Sequence, residues 1–192
     1  MKRRLKQTII AVVVLLVLGI VARIAYSAYI RAVYPIRYED IVNECAAEYE
    51  LPPSLIYAVI HTESHFKEDA VSRVGAKGLM QLMDATFEWI QEQHFDEPIS
   101  VDRILEPSVN IHSGSKLLAV LRTMFTHTET ALAAYNAGSG TVKKWLADTQ
   151  YSADGETLTD IPYPETEHYV ERVLQAQKRY QTLYEIPYRR QQ

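Results

Sequence analysis

The segment His61–Met83, HTESHFKEDAVSRVGAKGLMQLM, follows directly on Leu51–Ile60, LPPSLIYAVI. Leu55, Val59 and Glu63 recur every four residues, so they stack on one face of a helix, and Ile56 and Ile60 widen that apolar stripe. Glu63 therefore stands where the pattern calls for an apolar side chain. Burial disfavours the ionised form of a carboxyl and raises its pKa, and the negative end of the helix dipole pushes the same way. A carboxyl that keeps its proton near neutral pH is what a general acid requires. The competing reading is a helix-end glutamate paired with Lys67 or Arg73. Helical spacing alone does not separate the two.

Outward from this segment, helical periods dominate. The spacing predicts helices over Tyr38–Glu50, from Pro52-Pro53 to about Glu63, over Leu79–Gln93, Asn110–Phe125, Thr128–Asn136, Thr141–Leu146 and Pro164–Tyr184. Residues 94–109, with Pro98 and Pro107, read as an irregular link, and Gln150–Pro162 as a loop. No run alternates as a strand would. The expected fold class is all-α. Four of the seven glycines fall in two loops, Gly75 and Gly78 after Glu63, and Gly138 and Gly140 in AYNAGSGTVKKW. Gln81 and Met83 follow the first pair and offer an amide hydrogen-bonder and an adaptable apolar wall. Tyr135 and Asn136 sit beside the second. They suit a sugar's hydroxyl and amide groups, although Tyr-Asn at a glycine turn is also ordinary turn chemistry.

The N-terminus has a different character. MKRRLK carries four positive charges, and Ile9–Ala22 then runs without a charge. One reading is a secretory signal with a weak cleavage-like Ala25-Tyr26-Ser27. The reading preferred here is an uncleaved anchor continuing past Arg23 to about Ile30, since about 20 residues span a bilayer. Arg23 would then snorkel to the interface beside Tyr26 and Tyr29. Either way Lys2, Arg3, Arg4 and Lys6 stay inside, and the remainder is placed on the extracytoplasmic face of the cell membrane or secreted. The expected organisation is an anchor or signal over 1–30, a connector over 31–36 and one folded domain over 37–192.

Six of the 20 Lys/Arg lie in residues 1–36, which hold no acid, leaving 14 basic against 24 acidic residues in the remainder. So acidic a domain is a poor nucleic-acid binder. The lone cysteine, Cys45, excludes an intrachain disulfide and fits a core position in the pattern Ile41, Cys45, Tyr49. It lies too far from the apolar run to be the acylated cysteine of a lipoprotein signal.

Glu63-Ser64, Gly75–Met83, Ala134–Trp145 and IPYPETEHYV (Ile161–Val170) together resemble the lytic transglycosylases of the soluble-transglycosylase (SLT) catalytic domain, which has a lysozyme-like, goose-type fold. Each motif alone is weak; four in the family's order are strong. The resemblance runs over about residues 37–184. It implies that Glu63 is the single catalytic acid/base and that Ser72 lies near the cleaved sugar. It implies that Gln81 and Met83 line subsites, and that Tyr135 and Asn136 stand beside the glutamate with the tyrosine bonding its carboxyl. Glu165 and Tyr169 match the family's Glu-Thr-x-x-Tyr pattern at the cleft. Two departures stand out. Asp84 replaces a common proline, as a potential cap for the next helix, and Leu117-Leu118 replaces a Tyr-Leu after the segment Asn110–Gly114.

The activity implied is cleavage of the β-1,4 bond between N-acetylmuramic acid and N-acetylglucosamine in peptidoglycan glycan strands, leaving a 1,6-anhydro end and using no cofactor. The alternatives are hydrolysis of the same bond, with Asp69 or Asp84 positioning water, and a non-catalytic glycan-binding scaffold. His61 and His65 have a spacing that can bind zinc on one helix face, but no third ligand is evident, so a polar cleft rim is expected there and no metal. Trp89 and Trp145 at helical spacing read as core rather than sugar platforms.

Overall fold

The computed structural model describes residues 2–184. Among them are eight α-helices: α1 (Lys2–Val33), α2 (Glu39–Glu48), α3 (Pro53–Ser64), α4 (Asp84–His94), α5 (Pro107–Met124), α6 (Thr128–Ala137), α7 (Ser139–Leu146) and α8 (Pro164–Tyr184), with a 3-10 turn at Val101–Arg103. β-structure among the described residues amounts to two isolated bridges, Val71 with Lys77 and Lys77 with Leu82. The all-α expectation holds. The chain divides into two units, the first ending at Pro35 and the second beginning at Ile36.

In the first unit, α1 carries the helix through Val33, so the first half of the expected connector 31–36 is helical. Within it Val12–Val33, 22 residues of mean hydropathy 2.2, is long and apolar enough to cross a membrane. Tyr26 and Tyr29 are exposed, as are the apolar side chains around them.

The second unit is built around α3. Every residue from Ser54 to Ile60 is buried, so this helix is covered all round rather than along one stripe. Its first turn tolerates Pro53 because the missing N–H has no intrahelical partner there. α8 packs most extensively on α3, through the stacked rings of Tyr57 and Tyr180 at 5.3 Å. α5 joins α2, α4 and α6, and Cys45 fills the α2 core position. Leu117 and Leu118 are both buried in α5. Trp145 is buried, with Tyr163 edge-on at 5.0 Å, but Trp89 is 44% exposed, against the core expectation.

One expected helix is shorter than its pattern. Leu79–Gln93 reads as continuous, yet α4 begins only at Asp84. Leu79, Met80 and Leu82 are buried in a loop instead. Lys77 and Leu82 exchange both backbone hydrogen bonds (2.9 and 3.0 Å), the Gly78 N–H donates to the Ala70 carbonyl at 2.8 Å, and Gln81 takes φ 48°. Tertiary burial of a tight turn outweighs local helical spacing here. At its other end the expected irregular link 94–109 is interrupted by the 3-10 turn, and α5 starts at Pro107.

Candidate active site

Glu63 is the penultimate residue of α3. Immediately beyond, His65 (φ 51°) and Phe66 (φ 62°) are both left-handed, a conformation costing about 1–2 kcal/mol per non-glycine residue. The sharp reversal returns Phe66 to the core, and the Ser64 hydroxyl donates to the carbonyls of Ile60 (3.2 Å) and Leu79 (2.8 Å). The glutamate is thus held between a fixed helix and the loop behind it. Strain of this kind collects at functional sites.

Glu63 is partly exposed as a residue, while its carboxyl is surrounded mostly by protein. Burial raises its pKa to about 7, against the opposing pull of the Tyr169 phenol and the Arg172 charge. At neutral pH roughly half of such groups carry the proton. Tyr169 is buried in α8 and faces this carboxyl, stopping short of full hydrogen-bond geometry, so its hydroxyl is left without an acceptor in the fold. Tyr135, from α6, also feels the Glu63 charge. Both phenols are pushed well above their ordinary pKa by burial first and Glu63 second, and stay neutral. Among the described residues no ion pair joins Glu63 to Lys67 or Arg73, which removes the helix-end pairing.

The loop from Ala70 to Met83 is tied from several directions. Buried Asn110, near the start of α5, accepts from the Met80 N–H (2.7 Å) and donates to the carbonyls of Ile104 (2.7 Å) and Lys77 (3.1 Å). Gly78 sits against this amide at φ 77°; an added Cβ would come within 2.4 Å of it. Gly114, one turn on, leaves room for the Met80 sulfur, which an added Cβ would meet at 2.5 Å. The segment Asn110–Gly114 is therefore the seat of this loop.

The remaining expected site residues divide by what their polar atoms do. The Tyr135 hydroxyl donates to the Met80 carbonyl at 2.9 Å rather than to Glu63, so the phenol facing the carboxyl is that of Tyr169. Gln81 donates to the carbonyls of Ala70 (3.0 Å) and Gly78 (2.9 Å) and holds the loop closed. Ser72 accepts from the Ala76 N–H at 3.0 Å in its turn, keeping its own proton to donate. Met83 is 42% exposed at the start of α4. Asn136 accepts from the Thr166 hydroxyl at 2.8 Å, which pins α6 to α8 and leaves the amide N–H groups to donate. Glu165 is exposed in the first turn of α8.

Three further residues shape the site: Asn110, from the segment Asn110–Gly114, through the loop, Thr166 through Asn136, and Arg172 through its charge. Thr166 lay inside the Glu-Thr-x-x-Tyr motif; Arg172 was legible only as the residue three beyond Tyr169. Asp84 is the first residue of α4 rather than its cap; its carboxylate instead pairs with Lys77 at 2.8 Å. The rings of His61 and His65 lie 4.9 Å apart, and burial, then His65, lowers His61 to about 4. Among the described residues no group of three or more His, Cys, Asp or Glu is placed to hold a metal ion.

The chain matches the transglycosylase SLT domain over residues 40–157. It is 33% identical over 145 residues to the soluble lytic murein transglycosylase of Escherichia coli (strain K12), covering 73% of this chain and 22% of that protein. It is 29% identical over 170 residues to the membrane-bound lytic murein transglycosylase C of Edwardsiella ictaluri (77% and 47%). Its structure superposes with a TM-score of 0.70 on the lytic transglycosylase Slt of Pseudomonas aeruginosa, solved as an inactive Glu-to-Gln mutant, at 32% identity over 80% of this chain and 25% of that one. The 70 kDa soluble lytic transglycosylase of Escherichia coli gives the same TM-score of 0.70 at 28% identity, with the same coverage. The chain spans less than half the length of each of these relatives.

Proposed function

The chain belongs to the transglycosylase SLT domain family, and from that premise we propose that it is a murein lytic transglycosylase in which Glu63 acts first as acid and then as base. The observation that carries this reading is a single carboxyl on a partly exposed residue, surrounded mostly by protein, with its pKa raised to about 7 by burial. The inactive Glu-to-Gln form of the Pseudomonas relative is in keeping with a lone essential glutamate.

The protonated Glu63 gives its proton to the oxygen joining N-acetylmuramic acid to N-acetylglucosamine. The C1–O bond breaks and positive charge develops on the muramoyl ring. The Glu63 carboxylate then takes the proton of the same sugar's C6 hydroxyl, and O6 closes on C1 to give the 1,6-anhydro end. Proton and electron count return to their start. A nucleophile already on the substrate has a high effective molarity, so no second carboxylate is needed to activate water. The surroundings of Glu63 fit this: the groups acting on it are Tyr169 and Arg172, while Asp69 is exposed and Asp84 is bound to Lys77. Met83 and Asn136 are available to line the strand, and Ser72 to donate to it. Val12–Val33 would anchor the chain in the cell membrane with the catalytic unit outside, facing the peptidoglycan.

The test is digestion of purified sacculi by the full chain, with mass analysis of the sugar ends. Wild type is expected to leave 1,6-anhydro ends, and Glu63→Gln to lose about 10²–10⁴ of the rate. Reducing ends would show hydrolysis, and unchanged clearing by Glu63→Gln would exclude Glu63 as the acid.

A further inference from the structure

We infer that Arg172 is a specificity-determining residue of the cleft whose guanidinium seats a carboxylate carried on the lactyl arm of the muramoyl sugar. The inference rests on the murein reading above, and three observations support it.

The first is placement. Glu165, Tyr169 and Arg172 recur at i, i+4 and i+7, which puts them on one face of α8. Tyr169 on that face opposes the Glu63 carboxyl, and the charge of Arg172 reaches both groups. The second is availability. Arg172 is exposed, and among the described residues it makes no ion pair. Two other cations are engaged: Arg103 is gripped by Glu106 through two hydrogen bonds (2.8 and 2.7 Å), and Lys77 holds Asp84; what sets Arg172 apart from the remaining surface cations is its place on the Tyr169 face. Its neighbour Glu171 leans toward His168 at 3.8 Å instead.

The third is chemical. A cation near a general acid works against it, because it favours the ionised form. The groups around Glu63 are Tyr169 and Arg172 from α8, Tyr135 from α6, and the flanking His61 and His65 of the α3 end; Arg172 is the fixed charge among them. Its presence is explained if the substrate brings an anion that neutralises it. The burial of Glu63 then acts unopposed by that cation once the strand is bound. The sugar whose C1–O bond breaks carries such an arm. Its carboxylate is free on peptide-less strands, or the arm is extended by a stem peptide with carboxylates of its own. A planar guanidinium fork matches either.

The experiment measures binding by the full chain carrying Glu63→Gln, with and without Arg172→Gln, to three glycans of equal length. These are peptide-bearing strands, amidase-stripped strands and chitooligosaccharides, which have no lactyl arm. Arg172→Gln is expected to weaken binding of at least one muramoyl glycan about 10-fold, as loss of a charge-assisted pair does, and to leave chitooligosaccharides unchanged. Arg172→Lys should recover part of the loss. Loss on the peptide-bearing strand identifies a stem carboxylate, and loss on the stripped strand the lactyl carboxylate itself. Undiminished binding of both, or equal loss on chitooligosaccharides, overturns the inference. In the otherwise wild-type chain, Arg172→Gln should move the alkaline limb of kcat/KM to higher pH, since the cation no longer favours ionised Glu63; an unmoved limb also counts against it. If wild type yields no anhydro ends, the catalytic reading fails, while the binding contrast still reports on Arg172.

Discussion

Two segments flank Glu63, the Ala70–Met83 loop and α8, and they use their polar atoms in opposite ways. The loop is closed on itself. Gln81, Ser72 and the Tyr135 and Asn110 side chains that reach it all bond to its backbone. α8 is open. Tyr169 and Arg172 act on Glu63, and Glu165 is exposed on the same face. The loop therefore supplies position and the helix supplies electrostatics. A polar residue at the proposed sugar-cleaving site need not touch sugar: Gln81 has both amide protons committed within the loop, where it holds the turn that carries Ser72 and Met83.

That contrast can be broken from either side. The largest effect is expected on the loop. Asn110→Ala leaves the Met80 N–H and two carbonyls without their buried partner, and should cost about 3–5 kcal/mol in denaturant unfolding, with activity lost alongside stability. A small loss would mean that the loop holds its shape without this amide.

On the glutamate itself, stability and catalysis should part company. The folded pKa of Glu63, about 7, exceeds the ordinary 4.5, so the folded state binds the extra proton between those values. Its favourable contribution is complete below pH 4.5 and is lost as pH rises through 7. Above that range the ionised group destabilises the fold by about 3 kcal/mol relative to a neutral isostere. Glu63→Gln should accordingly stabilise the chain by about that much at pH 9 and change little at pH 4, as thermal unfolding at the two pH values would show. Equal effects at both would contradict a buried, proton-holding carboxyl.

The two tyrosines sharpen the comparison further. Tyr135→Phe leaves the Met80 carbonyl without its donor and should cost about 1–2 kcal/mol of stability. Tyr169→Phe deletes a hydroxyl that has no acceptor in the fold, so stability should hold. It should nonetheless move the alkaline limb of the pH–rate profile upward, because the phenol favours ionised Glu63. The reverse pattern would exchange their roles. The smallest effect is expected for Asp84→Asn, which breaks a half-exposed bridge to Lys77 and should cost below about 1 kcal/mol.

Much of this arrangement was legible in the chain itself. The spacing of Leu55, Val59 and Glu63 pointed to a carboxyl on the buried side of a helix end, and the glycines marked both loops. What was not legible depends on contacts between distant residues. Leu79–Met83 has helical spacing, and only its packing against Asn110 and Tyr135, about 30 and 55 positions away, explains why it is a loop. The hydroxyl facing Glu63 could not be chosen between Tyr135 and Tyr169 from local pattern, since both belong to the motifs. Arg172 looks like any charged residue on an exposed helix face until α8 is laid against α3. Asp84 shows the converse: a carboxylate at a helix start reads as a cap, whereas the lysine seven residues earlier claims it.

The central claim is that the fold keeps a proton on one carboxyl at working pH. The most direct test is a carbon-13 NMR titration of the side-chain carboxyls, with the Glu63 resonance assigned by its absence in Glu63→Gln. The account predicts a midpoint near 7, and a midpoint at the ordinary glutamate value of 4.5 would contradict it.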